Sequence, residues 1–340
     1  MKKILFIQSE FDFNQFYDKD ILPNSNEVEF DGIKYLNKSP EFFLKYSKIF
    51  SCDYSDDLAF SIIKKAKSIN LDTYLLMDGI YDWANIHLNP KLNSKIIFFN
   101  ADFYNLVYCV DNHSASYLAS VGANTSLYKP SRIFSLNLNK ETNLNKILSS
   151  TKKKILITTS NTPYFNKIEF DRIIYIFKSI IEWSKVNSVD IYFRIYNSKI
   201  LSELNIEDKL NLTEGGIGPY IKKIDLLITT PSSISATAIM LDKPTVHIIY
   251  RDTPIIFKSA WQIFDSDMID AVLKSALSKN PKRMSHQRSI IPQIEINKIK
   301  ENIYSKNETS INAKFSLKSL TIAIFKSKIK GLYHRIFKYK

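Results

Sequence analysis

The chain has 340 residues, 45% of them hydrophobic, and carries 47 Lys+Arg against 34 Asp+Glu for a formal net charge of +13. That length suffices for two domains of ordinary size, and no apolar run approaches the ~20 residues of a membrane span. Two cysteines, Cys52 and Cys109, lack metal-ligand spacing and suit a reduced cytoplasm, and the run after Lys3 is too short for a secretory h-region.

In chain order, a first strand at Lys3–Gln8 leads through the polar and aromatic stretch Phe11–Tyr17 to a strand and helix around Lys48–Lys67. Strands Leu71–Met77, Lys95–Phe99 and Leu106–Val110 follow, then a helix His113–Ser120 ending at Gly122, where a left-handed C-cap belongs. Cys109 lies in an apolar run and reads as a small core hydrophobe. The Asn-, Lys- and Ser-rich stretch Ser135–Lys153 is the expected linker between a domain of residues 1–134 and a second of residues 154–285. In the second domain, strands at Ile155, Asp190–Ile195, Leu226 and Val246 alternate with helices such as Ile168–Ser184, which predicts parallel sheets. His247, inside an apolar strand, reads as a core histidine.

Charge is uneven along the chain. Residues 1–113 hold 12 basic and 16 acidic side chains, whereas residues 281–340 hold 14 basic and 3 acidic. From Lys314 to Lys340 no acid occurs, and apolar residues such as Phe315, Leu320, Phe325 and Phe337 interleave with Lys and Arg. Two readings stand for this helical tail, residues 286–340: a basic amphipathic helix on an anionic membrane surface, or a closing helix that packs back on the first domain. No nucleic-acid-binding motif accompanies the charge.

The richest local pattern is Ile224–Ile249. Leu226, Leu227 and Ile228 form a buried-strand run, and Thr229, Thr230, Pro231, Ser232 and Ser233 break it. A helix then starts with Ser232 or Ser233 as N-cap, and its first-turn donors and hydroxyls suit a nucleotide phosphate. Upstream, the strand Lys154–Ile157 runs into a second hydroxyl-rich loop, Thr158–Phe165. Two such loops at neighbouring strand ends converge at the carboxyl edge of one sheet, where open α/β sheets bind ligands.

The succession strand, Thr-Thr-Pro-Ser-Ser, small-residue helix with Ala236, Ala238 and Met240, then Leu241–Pro244 and a strand to Ile249 resembles the donor half of GT-B glycosyltransferases. The resemblance covers roughly residues 70–265 and implies an α/β fold in which two Rossmann-like domains with parallel sheets face each other across a cleft. Asp78-Gly79, at the carboxyl end of Leu71–Met77, resembles the acidic motif of bacterial GT-B sialyltransferases, which are grouped here with Kdo transferases. Asp78 is then the general base, with Asp82 in reserve, and Trp83, Asn85 and His87 are candidates for an acceptor site.

Two positions depart from that pattern. Tyr196-Asn197 stands where those enzymes carry His-Pro, so that Arg194 and Tyr196 take over the nucleotide, and Thr237 stands where a glutamate holds the ribose. The resemblance implies a metal-independent inverting glycosyltransferase without cofactor, peripheral on the cytoplasmic side of the inner membrane. It would extend a bacterial surface polysaccharide or lipooligosaccharide from a nucleotide-sugar donor, CMP-sugar slightly before UDP-sugar, onto a glycan or lipid-linked glycan acceptor. Thr159, Ser160, Asn161, Ser232 and Ser233 would meet the phosphates, with Arg194, and Arg251 nearby; Gly216 would lie near the base or ribose. The strings Asp18-Lys19-Asp20 and Asp265-Ser266-Asp267 close no convincing strand, so a metal site is not expected. Two other readings remain: a noncatalytic nucleotide-sugar-binding protein, and a nucleotide-sugar epimerase, which needs further carboxylates or a histidine around the sugar C2.

Overall fold

The computed structural model of the protein describes residues 2–17, 27–54, 56–90, 103–130 and 151–291. Within them the front lobe holds a six-stranded sheet and the rear lobe a five-stranded one, and every strand pair in both is parallel. The front strands are β1 (Lys3–Phe6), β2 (Val28–Glu29), β3 (Tyr46–Ser51), β4 (Asp72–Leu76), β5 (Leu106–Cys109) and β6 (Thr125–Leu127), in the order β2-β1-β3-β4-β5-β6. Their helices are α1 (Glu10–Phe16), α2 (Asp57–Ser68), α3 (Trp83–His87) and α4 (Asn112–Ser120). The expected cap at Gly122 is present, with φ +96°.

The rear strands are β7 (Lys154–Thr158), β8 (Asp190–Arg194), β9 (Leu226–Thr229), β10 (Thr245–Ile248) and β11 (Trp261–Ile263), in the order β11-β10-β9-β7-β8. The chain thus passes from β7 to a neighbour on one side and then to β9 on the other, so the sheet's topological switch point lies between β7 and β9. The loops after those two strands are the two hydroxyl-rich segments, and a switch point is where a doubly wound sheet opens a crevice. The rear helices are α5 (Lys167–Val186), α6 (Ser198–Glu203), α7 (Gly218–Lys223), α8 (Ile234–Met240), α9 (Ile269–Leu277) and α10 (Pro281–Ile290).

Helix α5 shows how local signals and packing agree. Asn166 caps it by accepting from Glu169 N at 2.9 Å, while the Glu169 carboxylate reaches back to Phe165 N at 2.7 Å. Phe170, Ile173, Ile174, Phe177 and Ile180 recur at helical spacing and pack with Ile155, Ile157, Phe193, Ile228 and Val246 of the sheet. Each such side chain, fully buried, contributes about 1.5–3 kcal/mol.

One apolar cluster joins the lobes. Phe6, Phe50, Tyr74, Leu76, Ile80 and Tyr108 of the front pack with Ala236, Ile239, Phe257, Ile290 and Ile291 of the rear. Helix α10 therefore runs through residue 285, the expected end of the second domain, and Asn112 Nδ2 donates to Ser289 O at 2.9 Å across the same junction. Cys109 is fully buried as expected. His247 is a core histidine: it bonds Ser235 Oγ at 2.7 Å and accepts from Ser259 N at 3.3 Å, and burial pushes its pKa down to about 3. The expected strand at 95–99, residues 135–150 of the linker, Asp18-Lys19-Asp20 and the tail from residue 292 onward lie outside the described residues.

Candidate functional site

A cavity of about 530 Å³ opens between the lobes. Tyr54, Asp78, Asp82 and Asn85 line its front wall; Thr158–Thr162, Arg194, Tyr196 and Pro231–Ser233 line its rear wall. Eight of the residues singled out in the sequence line this one cavity: Asp78, Thr159, Ser160, Asn161, Arg194, Tyr196, Ser232 and Ser233. The two rear loops are tied together where Ser160 N donates to Thr230 Oγ1 at 2.8 Å, so they act as one wall.

The front wall is fixed from behind. β4 ends at Leu76, and the carbonyls of Leu76 and Met77 accept from the buried phenols of Tyr17 and Tyr128. Beyond the turn, Tyr81 N donates to Ser114 Oγ, itself held by buried Asp111. Asp78 is consequently presented on a braced strand end. Tyr54, which sequence reasoning missed, follows β3 as Asp78 follows β4; a polar residue at the end of every central strand was the signal available. Burial and the nearby Asp78 charge push the Tyr54 phenol well above its usual pKa, so it stays protonated.

Asp82 caps α3 through Asn85 N at 3.2 Å. Burial raises its pKa, and the Arg251 guanidinium opposes that rise. Front-wall chemistry is thus two carboxyl groups, Asp78 and Asp82, facing a wall of hydroxyls and amides.

Four expectations need correction or refinement. Arg194 reaches the cavity, but its guanidinium donates to the carbonyls of Leu212, Glu214 and Gly215 and holds that loop, so three of its five donors are taken by the protein while its charge stays uncompensated by these neutral acceptors. Thr237 is 4% exposed within α8, and neither it nor exposed Gly216 lines the cavity; the neighbouring Ile217 does. Ser233 holds the N-cap position, yet its side chain caps nothing there; its hydroxyl accepts from Ile80 N at 3.3 Å, across the lobes. Of the acceptor candidates only Asn85 faces the cavity: Trp83 packs on the front core and His87 bonds the Tyr81 hydroxyl at 3.0 Å. Among the described residues no group of three His, Cys, Asp or Glu is placed to hold a metal, and no helix is long and apolar enough to cross a membrane.

No known protein family matches the sequence, and no curated protein does. Solved structures match along nearly the whole chain. The S. aureus MnaA–UDP co-structure is 14% identical, with a TM-score of 0.59 over 89% of this chain and 95% of that one. UDP-GlcNAc 2-epimerase from Neisseria meningitidis, bound to UDP-GlcNAc, is 12% identical with a TM-score of 0.57 over 89% and 98%. The Methanocaldococcus jannaschii UDP-GlcNAc 2-epimerase, in complex with UDP-GlcNAc and UDP, is 16% identical with a TM-score of 0.51 over 82% and 88%. At such identities the likeness establishes the architecture, two Rossmann-like lobes of the GT-B type. The expectation of a glycosyltransferase is corrected by these findings: the two structures above that are named for an activity are 2-epimerases, not transferases. The donor-lobe pattern that suggested transfer, strand, hydroxyl turn and small-residue helix, belongs to the fold that both kinds of enzyme share.

Proposed function

We propose that the chain binds a nucleoside-diphosphate sugar between its lobes and inverts a carbon of that sugar without any acceptor, as a nucleotide-sugar 2-epimerase. The observation that carries this reading is the single cavity in which Asp78 and Asp82 confront the hydroxyl loops after β7 and β9. Inverting C2 requires one group to remove the C2 proton as the C1–O bond to the diphosphate breaks, the C–H electron pair forming a C1=C2 double bond, and another to return a proton to the opposite face of C2 as the diphosphate adds back to C1; two carboxyl groups in different surroundings suit those roles. The diphosphate is the natural ligand of the rear wall, where Thr159, Ser160, Asn161, Ser232 and Ser233 offer hydroxyl, amide and backbone donors in a partly enclosed site. UDP and UDP-GlcNAc, the ligands named for the matching structures, support a uridine diphosphate sugar ahead of a CMP-sugar.

The test is incubation with UDP-, GDP-, CDP- and CMP-sugars in D₂O, with no acceptor, followed by proton NMR of the sugar ring. Loss of the C2 proton signal, with a second epimer accumulating, is the expected result for a UDP-sugar. Unchanged spectra for every donor would overturn the epimerase.

A second reading, binding without turnover, has one specific observation in its favour: Arg194 already gives three of its five donors to backbone carbonyls, which leaves it fewer to meet the leaving diphosphate. It predicts nucleotide-dependent thermal shifts with no proton exchange.

The basic tail makes a separate expectation. Residues Lys314–Lys340 should hold the protein on anionic membrane surfaces, at about 1 kcal/mol per basic side chain near the surface. Deleting them should move the protein from pellet to supernatant when it is sedimented with phosphatidylserine vesicles, and unchanged sedimentation would remove the anchor.

A further inference from the structure

Arg251 follows β10 on the rear lobe, and its side chain is 8% exposed. Its Nε lies 3.1 Å from Glu169 Oε2, its Nη2 donates to Thr162 O at 3.1 Å, and its Cζ stands 3.9 Å from the Phe165 ring centroid. The guanidinium is therefore anchored on three sides by the rear lobe. Its remaining face points forward: Nη1 lies 3.8 Å from Oδ2 of Asp82 on the front lobe. One buried cation is shared by a rear carboxylate that fixes it and a front carboxylate that lines the cavity.

We propose that Arg251 is the positioning residue of Asp82: a cation carried by the rear lobe that fixes the Asp82 carboxylate at the cavity wall only while the lobes are together. This deepens the nucleotide-sugar reading and rests on it for the role of Asp82 in proton handling. The geometry gives a reason for the arrangement. Asp82 caps α3 through one oxygen, Oδ1, while its other oxygen, Oδ2, faces the cation across the cleft at an ion-pair distance of 3.8 Å. A planar, permanently charged fork held by Glu169 supplies a fixed direction that a flexible ammonium does not. Besides Arg251, the titratable groups that interact with Asp82 are Glu169 on α5, Tyr54 after β3, Tyr81 beside it in the chain and Tyr250 after β10. None of these offers it a positive charge, so the attraction at Asp82 comes from across the lobes. Separation of the lobes would leave Asp82 with only its backbone cap.

Two measurements test this. The first needs no activity. Thermal unfolding midpoints are compared for the parent, Asp82→Asn, an Arg251→Met/Glu169→Gln background that leaves no carboxylate stranded opposite methionine, and that background with Asp82→Asn. If Arg251 holds Asp82, the effect of Asp82→Asn is several degrees more favourable in the background lacking the cation, because there the buried carboxylate has lost its partner; equal effects in both backgrounds overturn the proposal. The second follows C2 exchange with a UDP-sugar. Arg251→Lys keeps the charge but loses the fork, and is expected to lower kcat about 10–100-fold with KM within about threefold, since Thr159, Ser160, Asn161, Ser232 and Ser233, the residues proposed to hold the nucleotide, are not substituted and an ammonium can still donate to Thr162 O. A rise in KM with kcat unchanged overturns the positioning role. Absence of exchange in the parent protein would refute the epimerase reading alone, and the unfolding comparison would still decide whether Arg251 holds Asp82.

Discussion

Asp78→Asn should abolish sugar turnover while leaving nucleotide binding nearly intact. The substitution is isosteric, and the turn behind it is braced through its backbone, the phenols of Tyr17 and Tyr128 donating to the carbonyls of Leu76 and Met77. What changes is chemical. An amide takes no proton at neutral pH, and losing a positioned base typically costs about 10²–10⁴-fold in rate. The nucleotide is expected to rest on the opposite wall, on loops after β7 and β9 that do not contain Asp78, so its dissociation constant should change by less than about threefold, a loss of at most ~0.7 kcal/mol. Calorimetry with UDP and proton exchange of the UDP-sugar in D₂O give the two readings. Full exchange in Asp78→Asn would move the base elsewhere, with Asp82 next in line; weakened UDP binding together with lost exchange would mean that the turn itself had collapsed.

How far the site could be read from sequence depends on what kind of information each residue carries. Asp78 was legible because a carboxylate at the carboxyl end of a buried parallel strand is a local pattern, and the fold delivers such ends to the cleft. Ser160 and Ser232 were legible for the same reason. Thr237 was misplaced because counting along a helix gives spacing but not rotation, and in the seven-residue α8 its side chain turns inward. Arg194 was found at the cavity, but its second task was not legible: three carbonyls from a loop some twenty residues downstream take three of its donors, and nothing local announces that. Arg251 was read as a charge flanking the last donor strand, near the phosphate or solvated, since its partners Glu169 and Asp82 are far away in the chain. Architecture was clearer than chemistry. The long runs of β1, β4, β7 and β9 and the periodic α5 declared two parallel sheets, whereas β2, β6 and β11, two or three residues each, are too short to show a period. Transfer and epimerisation share one donor lobe, so the pattern of that lobe could not separate them.

Gly79→Ala should be among the most damaging single substitutions outside the apolar cores. A Cβ on Gly79 would lie 1.9 Å from Ser233 Oγ and 3.0 Å from Ser233 Cβ, so backbone of the front turn meets a side chain of the rear lobe with no room for a methyl group. Rotating the Ser233 hydroxyl away relieves the shorter contact but breaks its bond with Ile80 N, and the Cβ–Cβ approach remains. Overpacking of this kind typically costs about 1–3 kcal/mol. Here the strain falls on the lobe junction, so it should appear both as a drop of several degrees in the unfolding midpoint and as a loss of turnover larger than the loss of stability explains. The cause can be isolated by rescue. In the Gly79→Ala background, Ser233→Ala removes the hydroxyl clash but keeps the 3.0 Å carbon contact and should restore only part of the midpoint, whereas Ser233→Gly removes both. Glycine at an N-cap costs only a few tenths of a kcal/mol relative to serine, and the lost bond to Ile80 N about 1 kcal/mol more, so the Gly79→Ala/Ser233→Gly protein should recover most of the midpoint and melt at or slightly below Ser233→Gly alone. Unchanged melting in Gly79→Ala alone would show that the lobes can draw apart at this point without cost. The hydrogen bond between Ile80 and Ser233 would then be a contact of the empty cleft rather than the fixed edge of the site.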